Sequence, residues 1–111
     1  MKARDWVVAF AALAASASLV PAQEVNVRNR GRLSLDAFDC STVESSFIRR
    51  VCYDEANQYL LIQLGSSWYD YCDVPYATVQ GLLEAESLAR YFNANVRGQF
   101  DCRTNQVPRY R

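Results

Sequence analysis

Ser46-Phe-Ile-Arg-Arg-Val-Cys-Tyr53, Tyr59-Leu-Leu-Ile-Gln-Leu64 and Trp68-Tyr-Asp-Tyr-Cys-Asp-Val74 are three short runs rich in β-branched and aromatic residues, and they decide the fold. Asp54-Glu-Ala-Asn-Gln58 separates the first two, and Gly65-Ser-Ser67 separates the last two. Connections this short join antiparallel neighbours, so the spacing predicts a three-stranded antiparallel meander. Side chains alternate across a strand. Val51, Tyr53, Leu60, Ile62, Leu64, Tyr69 and Tyr71 therefore share one face if Tyr53 opposes Leu60 and Leu64 opposes Tyr69. Cys52, Leu61 and Cys72 then form one row on the opposite face, with Trp68 nearby. That second face is too apolar to stay wet, and the flanking segments that carry Cys40 and Cys102 are the available cover.

Working outward toward the C-terminus, Pro75 suits the first turn of a helix. Val79, Leu82 and Leu83 recur at helical spacing, as do Leu88, Tyr91, Phe92 and Val96. Ser87 reads as a cap between two helical pieces and Gly98 as a stop. The expected fold class is α+β, a meander followed by one or two helices packed on one sheet face. Toward the N-terminus, residues 23–42 read as an extension: Val25-Asn-Val-Arg-Asn-Arg-Gly-Arg32 is polar, with Leu33, Leu35 and Phe38 as apolar anchors. Residues 101–111 read as an irregular tail.

The first residues carry the marks of a secretory signal. Lys2 and Arg4 form a basic start, Trp6 to Val20 is uncharged, and Val20-Pro21-Ala22 ends on a small residue, so cleavage is expected after Ala22. The uncharged run is shorter than the ~20 residues that span a bilayer, so no membrane span is expected after cleavage. Residues 1–22 are thus assigned as a signal peptide, and the periplasm or the medium is the expected location. The rest of the chain holds ten arginines and eleven acidic residues, ten minus eleven giving a net charge near −1. Such a balance is no electrostatic footprint for nucleic acid or anionic membrane.

Cys40, Cys52, Cys72 and Cys102 form an even set in a short exported chain, which implies a disulfide framework. Zinc lacks support, because the chain has no histidine and no Cys-x-x-Cys pair. In the meander Cys52 and Cys72 lie two strand spacings apart, roughly 9.6 Å. A disulfide favours Cα atoms roughly 5.5–6 Å apart, so each of the two is expected to hold one tail to the sheet. The nested pairing, Cys40 with Cys102 and Cys52 with Cys72, requires another strand order or splayed strand ends.

Val43-x-Ser45-Ser46-x-Ile48 leads into Val51-Cys-Tyr53-Asp54, then Leu60-x-Ile62-x-Leu64-Gly65 and Tyr69-x-Tyr71-x-x-Val74-Pro75. Leu83-x-Ala85-x-Ser87, Tyr91-Phe92-Asn93 and Val96-Arg97-Gly98-x-Phe100 complete the series. Residues 43–100 resemble the KTSC domain, a module named after the C-terminus of some lysyl-tRNA synthetases and also found as a stand-alone bacterial protein. The resemblance implies no catalytic residues and suggests RNA binding. Cys52 and Ala89 stand where the family commonly has glycine, and Cys40 and Cys102 bracket the segment, a pattern that suits an oxidising compartment.

The candidate binding residues are Arg49, Arg50, Trp68, Tyr69, Tyr71, Asn93 and Arg97. Tyr69-x-Tyr71 has the form of an aromatic platform, although both rings fall on the face assigned to the helix. Arg49-Arg50 and the Arg28/Arg30/Arg32 series suit phosphate or an acidic partner, and equally a solvated edge. Asn93 and Arg97 lie one helical turn apart, placed for a polar pocket or a local pair. Asp70 with Asp73, and Glu84 with Glu86, do not share a face, and without histidine there is no triad of the serine–histidine type. The expectation is an exported, non-enzymatic binding module for a protein or peptide, without cofactor, with RNA binding as the alternative.

Overall fold

The computed structural model describes residues 23–104 and 107–110, so the signal reading of residues 1–22 lies outside the described residues. Within them the chain runs through β1 (Glu24–Val27), β2 (Gly31–Ser34), β3 (Asp39–Thr42), β4 (Ile48–Asp54), β5 (Tyr59–Leu64) and β6 (Ser67–Tyr71). Helices α1 (Tyr76–Glu84) and α2 (Leu88–Asn95) follow. The fold is α+β, as expected, and β4, β5 and β6 are the antiparallel meander. The sheet is larger than the meander, however. The N-terminal extension forms strands rather than a loose cover, giving six strands among the described residues in the order β2-β1-β6-β5-β4-β3. All neighbours are antiparallel except β1 and β6, which run parallel and meet at Val27 and Trp68.

Tyr53 opposes Leu60 as the sequence predicts, but Leu64 opposes Ser67 rather than Tyr69. Gly65, at φ 62°, opens a two-residue turn, and tight hairpins of that length place glycine where φ is positive. The third strand consequently starts one residue before Trp68, and the register moves by two. A slip of two preserves the faces but shifts the row: Asp70 lies opposite Leu61, and Cys72 falls one residue beyond β6.

On the inner face, Val51, Tyr53, Leu60 and Ile62 are buried against Val74, Val79, Leu82, Phe92 and Val96. Ile48 joins them because the β4–β5 register breaks between Ile48 and Arg50. Such a bulge bends the strand and re-aims the residue before it. Leu82 is fully buried, whereas Leu83, read as part of the same stripe, is 39% exposed. The two helices meet at Gly81, where a Cβ would come within 2.7 Å of Cζ of the Tyr91 ring. The Ser87 hydroxyl accepts from the Arg90 amide at 3.2 Å, capping α2.

The outer face is closed by geometry. The strands β2 and β3 sit at opposite ends of the sheet order, and only residues 35–38 join them. Five Cα steps reach at most roughly 18 Å, while five strand spacings on a flat sheet span roughly 24 Å. The sheet must therefore curl, and Leu35 and Phe38 on the crossing chain are buried inside the curl. They pack with Val25, Val27, Cys52, Tyr59, Leu61, Trp68, Cys72 and Cys102, and with Val107 and Tyr110 of the tail.

Each sheet cysteine holds a flanking segment, as the spacing argument expects. Cys40 bonds Cys52 across β3 and β4, and Cys72 bonds Cys102. The Cα atoms are 4.0 and 5.0 Å apart. This pairing is consistent with an oxidising compartment. Among the described residues, no helix is long and apolar enough to cross a membrane.

Candidate functional site

A cleft of about 510 Å³ opens beside the far edge of β6. Three segments build it. The β1–β2 turn supplies Arg28 and Arg30, β6 supplies Tyr69 to Tyr71, and the chain after α2 supplies Gly98 to Arg103. Asn29 at φ 67° and Gly31 at φ 87° turn the chain away from β6 immediately after Arg28, so β1 leaves the rest of that edge uncovered. On the other side Gly98, at φ 76°, lies in the turn that follows α2 and its Val96 cap, and there the chain crosses toward the cleft. The Cys72–Cys102 bridge then ties that chain to the sheet.

Two arginines straddle the β6 edge. Arg30 reaches to the outer side, where its Nε donates to Asp70 Oδ2 at 2.7 Å. The Tyr59 hydroxyl donates to the same oxygen at 2.8 Å. Tyr59 is 1% exposed, and its hydroxyl pKa is pushed up, first by burial and then by its bond to Asp70. The Arg30 hydrogen bond to Asp70 in turn favours the charged form of the guanidinium and raises its pKa. On the inner side the Arg28 guanidinium lies 5.8 Å from the Tyr69 ring centroid, in reach of a cation–π attraction. Arg28 makes no ion pair among the described residues, where the salt bridges are Arg30–Asp70, Arg32–Glu24 and Arg103–Asp101.

The sequence-predicted residues are distributed over three places. Tyr69 and Tyr71 line the cleft. Tyr71 also packs edge-on against Phe92 at 5.9 Å, and burial, with lesser contributions from Tyr69 and Asp70, raises its pKa to about 12. Arg49 lies at the β4 bulge, and Arg50 sits 5.6 Å from the Trp68 ring. Trp68 is 7% exposed and belongs to the outer core. β3 covers the β4 flank and β1 covers β6 at Trp68 alone, so Arg49, Arg50 and Trp68 lie at paired strand positions and not at the open stretch of the β6 edge. Asn93 near the end of α2 and Arg97 in the turn after it pair in an exposed position, Arg97 Nη1 donating to Asn93 Oδ1 at 3.4 Å.

The Arg30–Asp70–Tyr59 cluster joins residues as much as 40 positions apart, and no local pattern announces it. A second such cluster clasps the tail. Buried Asp54 accepts from Asn57 Nδ2 at 2.7 Å and from the Tyr110 hydroxyl at 2.5 Å. Burial, and then that bond, raises the Tyr110 pKa. Among the described residues no group of three or more acidic, histidine or cysteine side chains is gathered as metal ligands. All four cysteines are disulfide-bonded.

Comparison with known proteins places this arrangement. A protein from Stutzerimonas stutzeri described as uncharacterized is 44% identical over 52 residues, 46% of this chain and 73% of its own length. A protein from Tsukamurella paurometabola is 41% identical over 59 residues, 52% of this chain and 88% of its own. The crystal structure of a KTSC domain protein from Yersinia pestis superposes with a TM-score of 0.57 at 33% identity, covering 59% of this chain and 93% of that one. The model of the KTSC domain matches residues 44–100, which contain the meander and both helices but neither β1, β2 and β3 nor Cys102. The chain belongs to the KTSC domain family.

Proposed function

We propose that the chain is an exported, non-enzymatic binding module that recognises a protein or peptide in the periplasm or the medium. The observation that carries this reading is the cleft at the β6 edge, where Arg28 is held over Tyr69 and has no ion-pair partner among the described residues. An arginine beside aromatic rings is a combination enriched at protein interfaces. Export is supported by the basic start and uncharged run before Ala22 and by two disulfides.

The charge balance argues against nucleic acid as the ligand. Non-specific affinity for nucleic acid comes mainly from phosphates neutralised by lysine and arginine, and it falls steeply with salt. Here ten arginines are offset by eleven acids after residue 22, and Arg30 and Arg103 are already paired to Asp70 and Asp101. The test is a pair of titrations of the exported, oxidised protein at physiological salt, one with a mixed peptide library and one with mixed RNA. Peptide binding that Arg28→Ala weakens is the expected result. Micromolar RNA binding with a steep salt slope, and no peptide binding, would replace this reading with a nucleic-acid one.

A further inference from the structure

The main chain along the far edge of β6 is paired at both ends of the cleft and open between them. The Trp68 carbonyl accepts from the Arg28 amide at 2.9 Å, and the Cys72 amide donates to the Phe100 carbonyl at 3.0 Å. Along a strand, alternate residues direct their N–H and C=O groups to the same neighbour. Trp68, Asp70 and Cys72 therefore address the same side, and Asp70 is the middle member of that series. Nothing among the described residues pairs with its main chain on this side, and Asp70 is one of the cleft-lining residues. From Trp68 to Cys72 the strand advances about 13 Å, room for two or three residues of extended chain.

The two ends of this opening decide what fits. Arg28 with its turn closes one end and Phe100 closes the other. A continuous strand would have to leave the edge at both ends, whereas a chain terminus ends at Arg28 and has to leave the edge only before Phe100. Charge then selects which terminus. The Asp70 carboxylate is engaged by Arg30 and Tyr59, and the Asp101 carboxylate by Arg103. Arg28 is the cleft arginine without a carboxylate among the described residues. An arriving carboxylate gains a charge-assisted hydrogen bond there.

We infer that the cleft captures the free C-terminus of a partner polypeptide. Its last residues add to the β6 edge at the Asp70 main chain, and its carboxylate pairs with Arg28. The mode is β-strand addition combined with terminal-carboxylate capture. It rests on the reading of the chain as a peptide-binding module, and it specifies which part of the partner is read. The Tyr69 face beneath Arg28 and the Tyr71 ring supply the apolar wall for the terminal side chain.

The test is amide NMR on the nitrogen-15-labelled, oxidised protein, titrated with a randomised pentapeptide mixture bearing free carboxylates and with the same mixture amidated at the C-terminus. The Asp70 amide and the Arg28 side-chain Nε–H are expected to shift with the free-acid mixture. Amidation is expected to weaken binding about tenfold or more, one charge-assisted contact's worth. The Arg28→Gln variant, checked for an unchanged spectrum away from the cleft, is expected to bind both mixtures equally weakly. Equal binding of the acid and amide mixtures by the unaltered protein overturns the terminal-carboxylate inference and leaves the peptide-module reading standing. No shift with either mixture overturns both, and RNA shifting the same resonances then identifies the ligand class instead.

Discussion

The two faces of the sheet are closed in different ways. The inner face is covered by α1 and α2, and all its fully buried residues lie between Ile48 and Val96, inside the family segment. The outer face is covered by chain from both ends: Val25, Val27, Leu35 and Phe38 arrive from one side and Cys102, Val107 and Tyr110 from the other. One partner of each disulfide, Cys40 or Cys102, also lies outside the family segment. The inner core is closed by elements that follow the meander directly. The outer core closes only when distant segments are brought back, and it is there that the bridges act. Cross-linking removes conformational freedom from the unfolded chain, more so for longer loops.

This contrast sets the largest expected effects. Replacing Cys72 and Cys102 together by alanine opens a loop with a separation of 30 residues and should cost about 3.5 kcal/mol in urea unfolding. Replacing Cys40 and Cys52 opens one of 12 residues and should cost about 3 kcal/mol. A larger loss at the shorter bridge would break the loop-entropy account and point to packing of the buried Cys52.

Leu61 and Ile62 sharpen the comparison, since they are adjacent, fully buried and on opposite faces. Truncating either to alanine should cost about 2–5 kcal/mol in the oxidised protein. In a background lacking both bridges, Ile62→Ala should keep its cost, while Leu61→Ala should lose most of it. Equal costs in both backgrounds would show that the outer core stands without its staples.

The inner face was legible because parity does not depend on the details of pairing. Val51, Tyr53, Leu60 and Ile62 stay together whether Leu64 opposes Tyr69 or Ser67, since a two-residue slip returns every side chain to its own face. The outer face was legible only in its apolar character and in the need for a cover. Val25 and Val27 on β1 do alternate with polar residues, and Leu33 and Leu35 alternate likewise, but each run is only about four residues long and is set among Arg28, Arg30 and Arg32. The parallel contact of β1 with β6 rests on one residue pair across 41 positions, Val27 with Trp68, which no local period encodes. The cleft was half legible for the same reason. The Tyr69-x-Tyr71 pattern stands out, whereas Arg28 and Asp70 become its neighbours only through the non-local turn of β1.

Smaller effects probe the inner face alone. Gly81→Ala forces a methyl group against the Tyr91 ring and should cost about 1–3 kcal/mol, despite the better helix propensity of alanine. Pairing it with Tyr91→Phe should recover part of the loss, because the hydroxyl is also crowded by the new methyl group. The smallest effect lies in alkali. Burial raises Tyr71 to about 12, above the ordinary tyrosine value of about 10. The folded state therefore holds the Tyr71 proton more tightly than the unfolded state does. Its contribution is fully present below pH about 10 and is lost as pH rises toward 12. Absorbance titration of the tyrosinate, compared with a Tyr71→Phe variant, measures this step, and ionisation of Tyr71 near 10 would contradict its burial.

Amide hydrogen exchange on the Cys72→Ala/Cys102→Ala variant, in a background also lacking the Cys40–Cys52 bridge, tests most directly whether the molecule is a family core with a stapled outer layer. Local unfolding free energies differ between cooperative units of one domain, and exchange resolves them. The account predicts that β1, β2, β3 and the chain around residue 102 lose protection first, while β5, α1 and α2 stay protected to a higher free energy. Loss of protection at the same free energy in all these elements would show one indivisible unit and contradict it.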